Sequence, residues 1–395
     1  MKFEHAALSA GHLWSSPFVR WQGSLADVSS LDLAVAVTRD ALAARAFDAS
    51  RVEQIVLGTT IPQQGAFYAA PWIAARLGME GIGGPHIARA CATSVACIVA
   101  AATAVEVDRR CCSLVVTADR TSNGPLLVYP RSRVAGGSPA TENWVLDNFA
   151  ADPWTGQAMV ATAEAVASEG RFSREAVDDV TLMRYRQYAR ALEDDRAFQR
   201  RTLQPVLIGE GRRRLLVEAD EGVHDTTAEG LRALAPAVAG GVVTFGSQTH
   251  PADGSAGCIV LGDDGARELA GGNGVVRLLA AGFARAEKAR MPKAATTAAI
   301  NALNDAGLAW RDVAIVNTHN PFAINDLWFA QQTGFALEKM NPFGCSLVYG
   351  HPQAPTGMRG IVELVEALRR QGGGVGVFTG CAAGDTGAAL VLRVD

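Results

Sequence analysis

Along the first part of the chain, apolar residues keep helical spacing over 31–44, collapse into a short apolar run at 55–57, resume helical spacing over 92–107 and form a second run at 114–117. A helix repeats its buried face every three to four residues and a fully buried strand reads as a continuous apolar run, so this order predicts helix, strand, helix, strand. Alternation of that kind implies parallel strands joined by crossover helices. The last part of the chain repeats the plan, with a helix over 294–306, a strand at 313–316, a loop rich in Pro and Gly, a helix over 360–370 and strands at 375–378 and 388–393. Two α/β halves follow, although no literal repeat joins them. Between about 121 and 242 the pattern changes: WVLDNFAADPW is an aromatic loop and 158–191 reads as arginine-rich helices, which predicts an inserted or capping unit.

Length and composition narrow the class. At 395 residues the chain calls for two or three structural units, and 49% hydrophobic, 19% charged residues and 41 glycines fit a soluble α/β enzyme. A net charge of −4 provides no global field for nucleic acid or an anionic membrane. Seven cysteines without a CxxC pair read as reduced thiols in a cytoplasmic protein. The N-terminus lacks the continuous apolar stretch of a secretion signal, and the apolar segment 90–107 carries Thr93, Ser94, Thr103 and Glu106, so a buried helix is expected rather than a membrane span. Arg171, Arg174, Arg184, Arg186, Arg190, Arg196, Arg200, Arg201 and Arg212 to Arg214 could meet a phosphate-bearing ligand. Their interleaving with Glu193, Asp194 and Asp195 favours solvated helix faces.

Four local patterns carry chemistry. Cys91, in RACATSVACIVAAATAVE, sits where a short loop feeds a small-residue helix, a position at which backbone N–H groups and the helix dipole favour a thiolate. Cys97, Cys111, Cys112 and Cys258 read as inert core. His351, between Gly350 and Pro352, lies in a turn that can aim an imidazole inward to hold a cysteine proton. Cys381, in VFTGCAAGDTG, stands at a strand-to-turn tip, and His319, in VNTHNPFAIND, ends a strand before a proline loop; each has a purely structural reading as well.

Taken together, the order and flanks of these patterns resemble the thiolase family over nearly the whole chain. Members carry a nucleophilic cysteine before a small-residue helix, an N-E-A-F or histidine-containing equivalent, a G-H-P loop and a C-terminal C-x-G hairpin; these look like Cys91, His319-Asn320-Pro321-Phe322, Gly350-His351-Pro352 and Cys381-Ala382-Ala383. MVATAEAVASEGRFSREAVDD resembles the family's loop-domain helix, and DTTAEGLRALAPA with GVVTFGSQTHPADGSA its return to the core. The resemblance implies an α/β, five-layered αβαβα fold: an N-terminal half over 1–120 with 243–270, a loop domain over 121–242 above the active site, and a C-terminal half over 271–395. It also implies an acyltransferase of fatty acid metabolism, a homodimer or homotetramer, acting on acyl-CoA thioesters with coenzyme A as substrate, no covalently bound cofactor and no metal. Cys91 would take the acyl group, His351 would activate it, Cys381 would exchange the α-proton, and His319 would complete one oxyanion hole while the N–H groups of Cys91 and Ala383 form another.

The chain departs from the family pattern at Ala354 and Ala383, where glycines are usual, and at Ala158, which stands for a coenzyme A-contacting histidine; Thr249 falls where a serine often meets the pantetheine arm, with His250 beside it. Two other functions stay open. A ketoacyl synthase-like condensing enzyme would use the same Cys91, His319 and His351, and a catalytically silent acyl-CoA-binding relative would tolerate the altered glycines.

Overall fold

The apolar runs close into one mixed sheet of ten strands in a computed structural model that describes residues 1–133, 135–209, 211 and 214–395. From one edge the order is Val313–His319, Gly374–Ala382, Thr386–Val394, Val275–Arg285, Ala6–Ser15, Ala252–Gly262, Ser113–Arg120, Gln54–Gly58 and His86–Ile87, with Val19–Arg20 paired onto Ala252–Gly262. The predicted helices and strands all form, most of them extended by a few residues at one or both ends, whereas the helix expected over 92–107 begins at Thr93 and that expected over 294–306 ends at Asp305.

The sheet divides into two halves that touch through a short antiparallel contact, Ala7–Ser9 against Val275–Arg277. Helix Ser30–Ala44 covers the outer face of the first half, and helix Met291–Asp305 that of the second. Between the halves lie Thr93–Val107 and Thr356–Arg370, each packed on strands of both halves and on the other. Five layers therefore stand as expected, but the two sheets join edge to edge into one ladder.

The sequence of the central pair explains its place. TSVACIVAAATAVEV has no broad polar face, and such a helix is stable only when surrounded by protein. This settles the 90–107 segment as a core helix. Thr356–Arg370 can approach Phe378 because residue 360 is glycine: a Cβ there would lie 2.6 Å from the ring.

The chain between the halves forms the hairpin Leu126–Tyr129 and Ala140–Asn143 and helices Leu146–Ala150, Met159–Gly170, Arg174–Ala191 and Glu193–Thr202, with Glu142, Trp144, Phe149 and Met159 lining a cavity. Buried charges tie it to the layers beneath. Arg184 is fully buried, with Nε 2.8 Å from Asp326, which corrects its reading as a solvated or phosphate-facing arginine. Asp220 accepts hydrogen bonds from both terminal nitrogens of buried Arg359 on the central helix at 3.1 and 3.0 Å, and from the Tyr188 hydroxyl at 2.9 Å. Arg174, Arg200 and Arg201 pair with Asp178, Asp195 and Glu366; Arg212 and Arg213 lie outside the described residues.

Candidate active site

Cys91 is presented by a strained elbow. After His86–Ile87 the chain turns at Ala90, whose φ of +45° is unusual for a residue with a Cβ, and enters the helix at Thr93. The Thr93 hydroxyl staples the turn, donating to the Ala90 carbonyl at 2.7 Å and accepting the Arg89 N–H at 2.8 Å. The sulfur is left half-buried at the floor of a cavity of about 780 Å³.

His351 reaches the same floor from the opposite half. Gly350 adopts φ +94°, and a Cβ there would lie 2.7 Å from the His250 ring, so the turn before the histidine requires glycine. His351 Nε2 stands 3.0 Å from Cys91 Sγ and Nδ1 2.7 Å from the Thr356 hydroxyl. With Nδ1–H donating to Thr356, Nε2 is free to take the thiol proton; this tautomer follows from the hydrogen-bond network. His319, at the end of Val313–His319, stacks on His351 with ring centroids 4.1 Å apart. Its Nδ1 lies 2.8 Å from the Ser346 hydroxyl, and its buried Nε2 has no protein partner among the described residues. Donation from Ser346 to Nδ1 leaves a hydrogen on Nε2, a donor aimed into the site.

Cys381, 1% exposed, is the penultimate residue of Gly374–Ala382 rather than the tip of the turn, and Asn325 Nδ2 donates to its sulfur at 3.2 Å. Ala383 opens the turn. It is absent from the left-handed residues, and its N–H and that of Cys91 itself face the Cys91 sulfur closely enough to favour its thiolate form. Thr249 and His250 also line the cavity, but the Thr249 hydroxyl already donates to the Ser346 carbonyl at 2.5 Å, and the His250 carbonyl holds the His351 N–H at 2.9 Å. The segment 143–154 lines the cavity through Trp144, Phe149 and Pro153.

The electrostatics overturn one expectation. Burial pushes the Cys91 thiol up to about 12, against the pull of the Ala383 and Cys91 N–H groups, so the helix N-terminus does not create a resting thiolate. Burial also lowers His351 to about 3 and His319 well below its usual range. The resting site is neutral, and the proton must leave sulfur as the sulfur attacks. The sulfur and an imidazole nitrogen from each of His319 and His351 lie within 4.8 Å of one another, a set that could in principle ligate a metal. The rings, however, are inclined by only 31° and stacked, whereas a metal must lie in the plane of each imidazole; the arrangement suits proton transfer better.

Sequence reasoning passed over the residues that orient this set. Ser346 and Thr356 fix the two imidazoles. Asp119, fully buried in Ser113–Arg120, accepts the N–H groups of Thr60, Ile61 and Ala354 at 2.9, 3.0 and 2.9 Å and so binds the cavity wall to the loop after His351. A carboxylate inside SLVVTADR, an otherwise apolar strand, was the available signal.

The family models described as "Thiolase, N-terminal domain" and "Thiolase, C-terminal domain" match residues 14–264 and 274–394. The chain is 27% identical to the acetyl-CoA acetyltransferase of Escherichia coli (strain K12) over 94% of this chain and 95% of that protein. It is 28% identical to a 3-ketoacyl-CoA thiolase of Vibrio cholerae over 99% of this chain and 98% of that one. In fold it is similar to human mitochondrial 3-ketoacyl-CoA thiolase solved in complex with CoA, at a TM-score of 0.89 and 24% identity over 99% of this chain and 98% of that one. The chain belongs to the thiolase family and is a thiolase-type acyltransferase.

Proposed function

We propose that the chain catalyses the reversible Claisen condensation and thiolysis of 3-ketoacyl-CoA through an acyl-enzyme on Cys91. The observation that carries this reading is the 3.0 Å contact between Cys91 Sγ and His351 Nε2, on a cavity that His319 and Cys381 also line. In thiolysis, His351 takes the thiol proton as sulfur attacks the 3-keto carbon, and the N–H groups of Cys91 and Ala383 receive the oxyanion. The C2–C3 bond then breaks. His319 Nε2–H and protonated His351 hold the enolate oxygen while Cys381 delivers its proton to C2. The Cys381 thiolate next takes the proton of free coenzyme A, whose sulfur attacks the acyl-enzyme; Cys91 leaves and recovers its proton from His351. Condensation is the reverse.

Residues 121–242 act in this reading as the lid over the reacting groups, with Thr249 and His250 along the pantetheine arm. A homodimer or homotetramer is supported by exposed Phe67, Tyr68 and Trp72, by Leu126, Val128 and Tyr129 on the hairpin, and by the sheet edge at His86–Ile87. Seven free cysteines suit a reducing, cytoplasmic setting. Cys381 inside the cavity speaks against the ketoacyl synthase reading, and the assembled donor set against a silent relative. The direct test is to give purified protein a 3-ketoacyl-CoA and coenzyme A: thiolytic products, with one acyl group on the intact protein when coenzyme A is withheld, are expected. A protein that gains no acyl mass and forms no product would return the silent reading.

His319→Ala is expected to lower turnover roughly 10²–10³-fold, the usual effect of losing an oxyanion donor, while the acyl-enzyme still forms. Unchanged turnover would make His319 structural.

A further inference from the structure

Two residues beyond His351 the chain places a carboxamide against the nucleophile. Gln353 Oε1 lies 3.5 Å from Cys91 Sγ, and the residue lines a cavity whose walls are largely apolar, with Ile61, Trp144, Phe149, Met159 and Met291 among them. Its amide nitrogen is not among the buried side-chain atoms that lack a partner, so it faces the open cavity, where the carboxamide has room to turn. Its backbone adds a second observation. Gln353 has φ +67° without being glycine, and it is clamped on both sides: its carbonyl accepts the Thr356 N–H at 3.2 Å, and the next N–H, of Ala354, is held by Asp119 at 2.9 Å. Strain retained beside a reactive group points to a role for the side chain it aims.

We propose that Gln353 is a further catalytic residue, whose carboxamide accepts from the Cys91 thiol at rest and, turned over about its last torsion, donates N–H to the thiolate during attack and release. The chemistry requires such a group. The thiol has one proton for two acceptors, His351 Nε2 at 3.0 Å and Gln353 Oε1 at 3.5 Å. Once that proton is on His351, the sulfur becomes an anion in a buried site, and each N–H aimed at it favours that form. The Ala383 and Cys91 N–H groups are fixed and are also needed by the oxyanion; the carboxamide is the donor that can rotate. No group is transferred: one hydrogen bond is exchanged for another at the same sulfur. The role rests on Cys91 being the nucleophile.

The test reads the thiol directly. Iodoacetamide alkylation of Cys91, located by peptide mapping, is followed against pH for the full-length protein and for Gln353→Leu, Gln353→Met and Gln353→Glu, with melting temperatures alongside. Losing a hydrogen bond to a charged partner should slow alkylation of the leucine and methionine variants about 10–100-fold at every pH at which the protein stays folded. Glutamate, which adds like charge and offers no donor, should slow it further as the pH rises. Lower turnover or a lower melting temperature with the alkylation rate unchanged in all three variants would overturn the proposal and make Gln353 part of the wall. Acyl-CoA labelling of the same preparations separates that outcome from failure of the Cys91 reading, in which the wild type would take no label at Cys91 while its alkylation stayed measurable.

Discussion

Cys91→Ala is expected to end covalent acylation: after incubation with an acyl-CoA, the intact mass of the wild type should rise by one acyl group and that of the variant should not change. Thiolysis should fall by roughly 10⁴–10⁶-fold, the scale on which loss of a nucleophile acts when the rest of the site persists. The reason is positional. Among the seven free cysteines, Cys91 has both a base at hydrogen-bond distance and the N–H groups of Ala383 and its own backbone around its sulfur. Cys381, the other thiol lining the cavity, is bound by Asn325, and burial pushes it above the ordinary thiol range. Peptide mapping of the acylated wild type should place the label on the peptide containing Cys91. A label that persists in the variant would refute the assignment.

How much of this site the sequence reveals depends on the range of the forces involved. The elbow at Cys91 and the Gly350–His351 turn are local: a loop feeding a helix and a residue that must be glycine are visible within a few positions. Helix 92–107 was legible for the same reason, since its lack of a polar face dictates burial. The ionisation of Cys91 was not. A helix terminus stabilises an anion by about 0.3–1 kcal/mol, and it alone can be read from neighbouring residues. The rise of the thiol from 9.0 to about 12 is a net effect of roughly 4 kcal/mol in which desolvation outweighs the N–H groups, and the burial behind it is summed over walls contributed by segments far apart in the chain. Arg184 was misplaced by the same blindness: within its helix it resembles its solvated neighbours, and its partner Asp326 lies 142 residues away. Ser346, Thr356, Asp119 and Gln353 were passed over because a hydroxyl, carboxylate or amide gains meaning only when the fold sets it beside an imidazole, a loop N–H or a sulfur. The joining of the two sheets is likewise a matter of edges meeting in space.

Cys381→Ala is expected to separate the two halves of the reaction. The variant should still take an acyl group onto Cys91 and lose it slowly to water, yet condensation of two acyl groups and cleavage of a 3-ketoacyl thioester should both fall by about 10²–10⁴-fold, the range of a missing general acid or base. Carbon–carbon bond formation needs an enolate, and a group near the α-carbon must take the proton. Cys91 is occupied as the thioester, and His351 carries the proton taken from it beside the oxyanion. Burial keeps Cys381 protonated at rest, with desolvation the main cause and the nearby Cys91 adding to it. A thiol so held is a ready proton source for the enolate in thiolysis. In condensation it becomes the base only after the departing coenzyme A thiolate has taken its proton, and a high proton affinity then makes it an effective one. Asn325, donating to the sulfur at 3.2 Å, steadies the thiolate in the interval. Acylation by intact mass, hydrolysis and condensation are to be measured on one preparation, with the melting temperature showing that the hairpin still folds. Condensation at the wild-type rate would reduce Cys381 to a packing residue and turn the assignment toward a condensing enzyme that works with Cys91, His319 and His351 alone.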